Sequence, residues 1–161
     1  MEYIKMLRDK TKNMPIITTG AAGAILIDGK ILLVLHKQKN LWQIPGGLQE
    51  FGETLENTIE REIKEELSIE LKVDKFIALL SDFKWGWSFD NGFKIHPVTA
   101  FYIMKGNVSI NNIKIQESEI LKYDLFNLDS IPDNTFECCK EKVRILIEYI
   151  ENPRKLTIAS T

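Results

Sequence analysis

Cysteine is nearly absent from this chain. The only two, Cys138 and Cys139, are adjacent, so they supply neither a disulfide framework nor the paired spacing of a zinc site. Redox and zinc chemistry are therefore set aside. An excess of positive charge is also missing, since 21 Lys and Arg face 23 Asp and Glu for a formal net charge of -2. A chain built to neutralise many phosphates of a duplex needs such an excess, so duplex nucleic acid is not expected as a partner. No apolar run approaches the ~18–20 residues that cross a bilayer, and the charged start MEYIKMLRDKTK lacks the apolar stretch of a signal peptide. No membrane partner is expected, and the protein is expected to stay in the cytoplasm. What is present is an ordinary globular balance: 161 residues, 44% apolar and 27% charged. We expect a single domain over 1–161, long enough to bury one substantial core.

Along the chain, residues 1–13 have weak helical spacing and read as a packing helix. From Ile16 to Ile27 the residues are small or β-branched, then Asp28-Gly29 interrupts and ILLVL follows, a pattern that predicts a hairpin. Leu41-Trp42-Gln43-Ile44 stops at Pro45-Gly46-Gly47, where a loop must start, with Trp42 supporting it. Between Thr54 and Leu67, Leu55, Ile59, Ile63 and Leu67 recur every four positions with no Gly or Pro between them, which predicts the best helix in the chain. Strand patterns at about 70–81 and 93–104 flank Asp90-Asn91-Gly92 as a second hairpin. A β-like stretch from Ile120 to Phe126 leads to a helix at about Thr135–Ile150, with Val143, Leu146 and Ile150 on one face, and 152–161 reads as a flexible tail. Strands in hairpins with helices between them give an α/β (α+β) class with a mixed sheet.

Glu62, Glu65 and Glu66 fall within little more than one turn of the predicted helix. At about 100° per residue, Glu62 and Glu66 lie about 40° apart and Glu65 about 60° to the other side, so three carboxylates share one patch. Lys64 is on the opposite face. Taken alone, such a helix reads as a solvated surface face. The loop before it changes that reading, because Gly46, Gly47 and Gly52 permit close backbone approach and Glu53 sits at the helix start. An oxygen-only cluster beside such a loop suits Mg²⁺, Ca²⁺ or Mn²⁺ better than softer metals. The planar guanidinium of Arg61 can hold Glu53 and fix the loop against the helix.

The segment GGLQEFGETLENTIEREIKEELSI resembles the Nudix box, G-x5-E-x7-R-E-U-x-E-E-x-G-U with U aliphatic, in register from Gly47 to Ile69. Gly47, Glu53, Arg61, Glu62, Ile63, Glu65, Glu66 and Ile69 all match, and many fixed charged positions make the pattern specific. Ser68 departs from it where the family has glycine. Serine would pay roughly 1 kcal/mol to close the helix in the left-handed conformation. His36 stands where relatives often carry an arginine able to meet phosphate.

The resemblance implies a Nudix-type α/β/α sandwich with a central mixed sheet. It also implies a Mg²⁺-dependent pyrophosphohydrolase, with Mn²⁺ as an alternative ion. The substrate would be a nucleoside diphosphate linked to another moiety: a nucleoside triphosphate, ADP-ribose, a nucleotide sugar or a dinucleoside polyphosphate. By the same resemblance Glu62, Glu65 and Glu66, with the backbone of Gly46, would hold the metal, and Glu53 and Arg61 would complete the catalytic group. The general base would be Glu62 first and Glu119 second; Glu117 and Glu50 read as solvated acids. On the substrate side, Trp85 or Trp87 in the aromatic stretch SDFKWGWSFDNG could stack on a base, although strand or dimer packing explains that alternation equally well. His36 is the third candidate there, and His96 reads as a packing residue. Homodimers are common among relatives. The rival reading is a Nudix domain without turnover that senses a nucleotide or binds a protein.

Overall fold

The computed structural model describes residues 2–12, 14–81, 86–88, 92, 94–153 and 157–159. Helix α1 (Glu2–Thr11) leads into β1 (Ile16–Ala24), β2 (Leu26–Ile27), β3 (Lys30–His36), β4 (Leu41–Gln43) and β5 (Gly46–Leu48). The acidic segment forms α2 (Leu55–Leu67) and is followed by β6 (Lys72–Leu80), β7 (Trp87–Ser88) and β8 (Lys94–Lys105). Then come β9 (Ile120–Asn127), α3 (Glu137–Glu151) and β10 (Thr157–Ala159). One mixed sheet has the order β10-β6-β8-β1-β5 with β7 added on β8, and a second carries β3 between β9 on one side and β2 and β4 on the other.

β3 explains the sandwich. Its Leu32 and Val34 join Ile59, Ile63 and Leu67 of α2 in one core, while Ile31, Leu33 and Leu35 join Val143, Ile145 and Leu146 of α3 in the other. Side chains that alternate along a strand thus serve both faces, which is why ILLVL carries no polar position. Helices therefore cover both faces of the sheet layer, as the α/β/α expectation required. The helical period held in α2, where Ile59, Ile63 and Leu67 are fully buried. In α3, Val143 and Leu146 are buried as expected but Ile150, in the last turn, is 47% exposed.

The first expected hairpin is only partly formed. Asp28 and Gly29 both have positive φ, and Ile27 pairs with Lys30 across them, but the pairing with β3 ends at Leu26. Ile16–Ala24 instead run parallel to β8 in the other sheet. A run as small as Gly20-Ala21-Ala22-Gly23-Ala24 suits either neighbour, and burial between two covered faces decides. The expected tail also differs. Thr157–Ala159 lie parallel to Ala78–Leu80, because the open edge of β6 offers unpaired backbone groups there. Trp42, the expected support of the glycine segment, is buried. It packs edge-on to Phe126, with ring centroids 4.8 Å apart, in the α3-side core. Ser68 takes the left-handed conformation (φ 55°, ψ 30°) and its N–H closes the helix on the Lys64 carbonyl, so α2 ends where a glycine would end it. Among the described residues no helix is long and apolar enough to cross a membrane.

Candidate active site

Gly46 and Gly47, expected to open a loop, instead lie in strand β5, which pairs with β1 and brings this glycine segment beside α2. Gly46 lies opposite Ala22 and Gly47 opposite Ala21 on β1, and the two glycines are there for space. A Cβ on Gly47 would stand 2.3 Å from the Glu62 carboxyl, and one on Gly46 would stand 2.3 Å from the Ala21 carbonyl oxygen. A Cβ at Gly46 would meet fixed backbone, whereas one at Gly47 would force the Glu62 carboxyl to move. α2 then starts at Thr54, whose hydroxyl caps the Asn57 N–H at 3.2 Å.

Arg61 is the fixed point of the site. Its Nε donates to Glu53 Oε1 at 2.6 Å and its Nη2 to Glu53 Oε2 at 3.0 Å, the bidentate pair expected from the sequence. Nη2 also donates to the Leu48 carbonyl at 3.1 Å, while Nη1 reaches Glu62 Oε1 at 2.8 Å and Glu65 Oε2 at 3.1 Å. The guanidinium beside it, with the Glu50 N–H and the Thr58 hydroxyl, holds the Glu53 carboxyl down at about 2.

The other carboxylates are pushed the opposite way. Burial raises the proton affinity of Glu62 against the pull of Arg61. Glu66 is 4% exposed, and burial, with the neighbouring Glu62 charge, carries it well above the usual carboxylate range despite a hydrogen bond from the Gly46 backbone. Its Oε2 has no hydrogen-bond partner. Glu119 adds negative potential at both Glu62 and Glu66. Its backbone is set by hydrogen bonds between Lys37 N and Glu119 O (2.8 Å) and between Glu119 N and Gln116 O (3.0 Å), with the Gln116 N–H bound in turn to the Glu66 carbonyl.

Glu62, Glu65 and Glu119 all add negative potential at Glu66, while Glu65 stays half in solvent at 49% side-chain exposure. Among the described residues no three His, Cys, Asp or Glu side chains are preset around one point, and Glu62 and Glu65 both turn to Arg61. The donor set is nonetheless all oxygen, and a buried carboxylate with an orphan atom is relieved by a hard cation. The residues fit one.

His36 ends β3 next to Ile120, and burial lowers its proton affinity against the nearby Glu119 charge. It borders the acidic group. Glu117 accepts from Lys37 Nζ through its backbone carbonyl, and the Glu50 carboxylate accepts from the Tyr3 N–H at 2.8 Å. Trp85, with Phe83 and Phe89, lies outside the described residues, as does the Trp87 side chain; the Trp87 backbone pairs with Ile95. His96 is half-buried in β8 opposite Ile17.

Three supports were not anticipated from the sequence. The Thr58 side chain is fully buried and its hydroxyl bridges Glu53 Oε2 and the Thr54 carbonyl; a threonine one turn after a capping threonine was the available signal. Gln49 Nε2 donates to the Glu53 carbonyl at 2.6 Å. The Leu48 carbonyl on Arg61 left no trace in the sequence, since backbone acceptors are anonymous.

Comparison with known proteins agrees with this geometry. The chain is 30% identical over 118 residues to an ADP-ribose pyrophosphatase of Methanocaldococcus jannaschii, covering 71% of this chain and 64% of that one. The matched segments span between 36% and 64% of the curated relatives' lengths. Among solved structures, a MutT NUDIX hydrolase from Burkholderia pseudomallei superposes with a TM-score of 0.60 at 24% identity, covering 81% of this chain and 98% of that one. A UDP-X diphosphatase superposes with a TM-score of 0.70 at 20% identity, over 97% and 73% of the two chains. These two likenesses speak for the fold. The NUDIX domain family model matches residues 18–143, which take in the glycine loop, α2 and Glu119, and on that match the chain belongs to the Nudix family.

Proposed function

We propose that the chain is a divalent-cation-dependent hydrolase that cleaves the diphosphate of a nucleoside diphosphate linked to another moiety. One observation carries the reading: Glu66, nearly sealed from solvent beside Glu62, keeps an oxygen without a partner at the mouth of the glycine loop. A fold does not keep such a charge cluster for stability. Glu62, Glu65 and Glu66, with the Gly46 backbone, would hold Mg²⁺ or Mn²⁺, which would neutralise the diphosphate oxygens and acidify water.

The remaining work falls to the chain's own residues. Glu62, whose proton affinity is raised by burial, is suited to accept the proton of the attacking water, and Glu119 is the second candidate for that role. Arg61 and Glu53 keep the loop at a fixed distance from α2 and position the carboxylates. His36, close enough to Glu119 to feel its charge, would meet a phosphate of the substrate. Trp85 or Trp87 is proposed to stack on the base. We place the protein in the cytoplasm and allow a homodimer.

ADP-ribose is the first substrate to test, since a relative carries that name, followed by nucleoside triphosphates, nucleotide sugars and dinucleoside polyphosphates. The decisive experiment offers this panel with Mg²⁺ and then Mn²⁺ and identifies both products of each reaction. Glu65→Gln and Glu66→Gln should lose most turnover while remaining folded. Near-normal hydrolysis by both variants would remove the assignment, and inertness of the unmodified protein toward the whole panel would favour a Nudix domain that senses rather than cleaves.

A further inference from the structure

The segment 48–53, which runs from the end of edge strand β5 to the start of α2, supplies two of the Arg61 contacts, the Leu48 carbonyl and the Glu53 carboxylate. α1 reaches this segment at three points. Ile4, 7% exposed, joins Ile95, Leu7, Ile16 and Leu48 in a small cluster of its own. The Tyr3 N–H, one of the unsatisfied donors at the start of α1, donates to Glu50 Oε2 at 2.8 Å. The Tyr3 ring lies 6.1 Å from that of Phe51, which remains 88% exposed. The backbone of Glu50 in turn donates to Glu53 Oε2 at 3.0 Å, so one residue joins the helix start to the Arg61 pair.

We infer that α1 is a clasp on the active-site loop, with Glu50 and Ile4 as positioning residues that hold Glu53 where it fixes Arg61. A helix of ten residues is marginal by itself, so docking keeps α1 folded and α1 keeps the segment in place. A carboxylate at a helix N-terminus gains from both the free N–H groups and the helix dipole, which gives the clasp a direction that an apolar contact lacks. The effect on turnover rests on the proposed hydrolase function; the effect on the loop does not.

The test compares Glu50→Ala, Ile4→Ala and their double variant with Glu50→Gln, all in the full chain. Amide hydrogen exchange of residues 48–53 should quicken roughly fivefold in each single variant, the equivalent of one net hydrogen bond or a small apolar contact. Glu50→Gln, which keeps an acceptor, should recover part of that protection. The double variant should gain less than the product of the single effects, because both act through one docking event. With an active preparation, kcat should fall while KM changes little. Unchanged exchange at 48–53, or acceleration spread evenly over the whole chain, overturns the clasp, and faster local exchange with unaltered kcat overturns its positioning role. If the unmodified protein hydrolyses nothing, the functional assignment fails while the exchange data still decide the clasp.

Discussion

Glu53→Gln keeps the outline of the side chain and removes its charge, at the point where the loop and α2 are fastened together. The carboxylate accepts from Arg61 Nε and Nη2, from the Glu50 N–H and from the Thr58 hydroxyl, and an amide has one oxygen for those donors. Removing one partner of a buried pair costs about 3–5 kcal/mol, and side-chain exposures of 23% and 19% for Arg61 and Glu53 reduce this to about 2 kcal/mol. Linkage gives a second route to the figure. Lowering the carboxyl from 4.5 to about 2 is equivalent to about 3 kcal/mol at neutral pH before screening, and about 1–2 kcal/mol after it. The folded protein holds this group below its unfolded value, so the stabilisation is fully present above about pH 4.5 and is lost as pH falls toward about 2. Glu62 and Glu66 act with the opposite sign, since their raised proton affinity makes acidification favour the fold. The informative quantity is therefore the difference between parent and variant. Urea unfolding followed by tryptophan fluorescence should give a gap of about 2 kcal/mol near neutral pH that narrows steadily below about pH 4.5. A gap that is absent at neutral pH, or that stays constant into acid, would refute the reasoning.

Three other outcomes are expected. Ser68→Gly should raise stability by roughly 0.5–1 kcal/mol, because serine occupies a left-handed backbone there, and an unchanged or lower Tm would contradict that strain. Gly47→Ala should cut turnover about 100-fold, since its methyl must displace the Glu62 carboxyl; steady-state kinetics near the parent's would show that this close approach is dispensable. Glu66→Gln should make the cation-free protein about 1 kcal/mol more stable at neutral pH, because it replaces a buried charge with a neutral group, and a clear drop in its unfolding midpoint would contradict the burial argument.

Much of the site was legible in the sequence because it is local. Glu53 and Arg61 are eight residues apart, Glu62, Glu65 and Glu66 share one turn, and helical geometry brings such groups together before any tertiary contact is made. The four-residue apolar period fixed α2 for the same reason. What escaped was non-local. Whether β1 paired with β3 or with β8 depended on which faces the helices covered, and a run of glycine and alanine expressed no preference. β10 joins its sheet through backbone groups that no side chain announces. The unequal fates of Glu65, half in solvent, and Glu66, sealed, follow from where the sheet lies against α2, although both residues look alike in the helical pattern.

The passage of one strand between the two sheets has a mechanical consequence. At Ile25 the chain leaves the mixed sheet, and its carbonyl there already accepts from the Leu32 N–H of the other, while two residues earlier the Gly23 N–H grips the Pro45 carbonyl just ahead of the glycine loop. The two sheets are thus tied to each other within a few bonds of Gly46. The seam between the sheets therefore adjoins the candidate site, and strain carried along it would reach first the backbone that borders the buried Glu66 carboxyl.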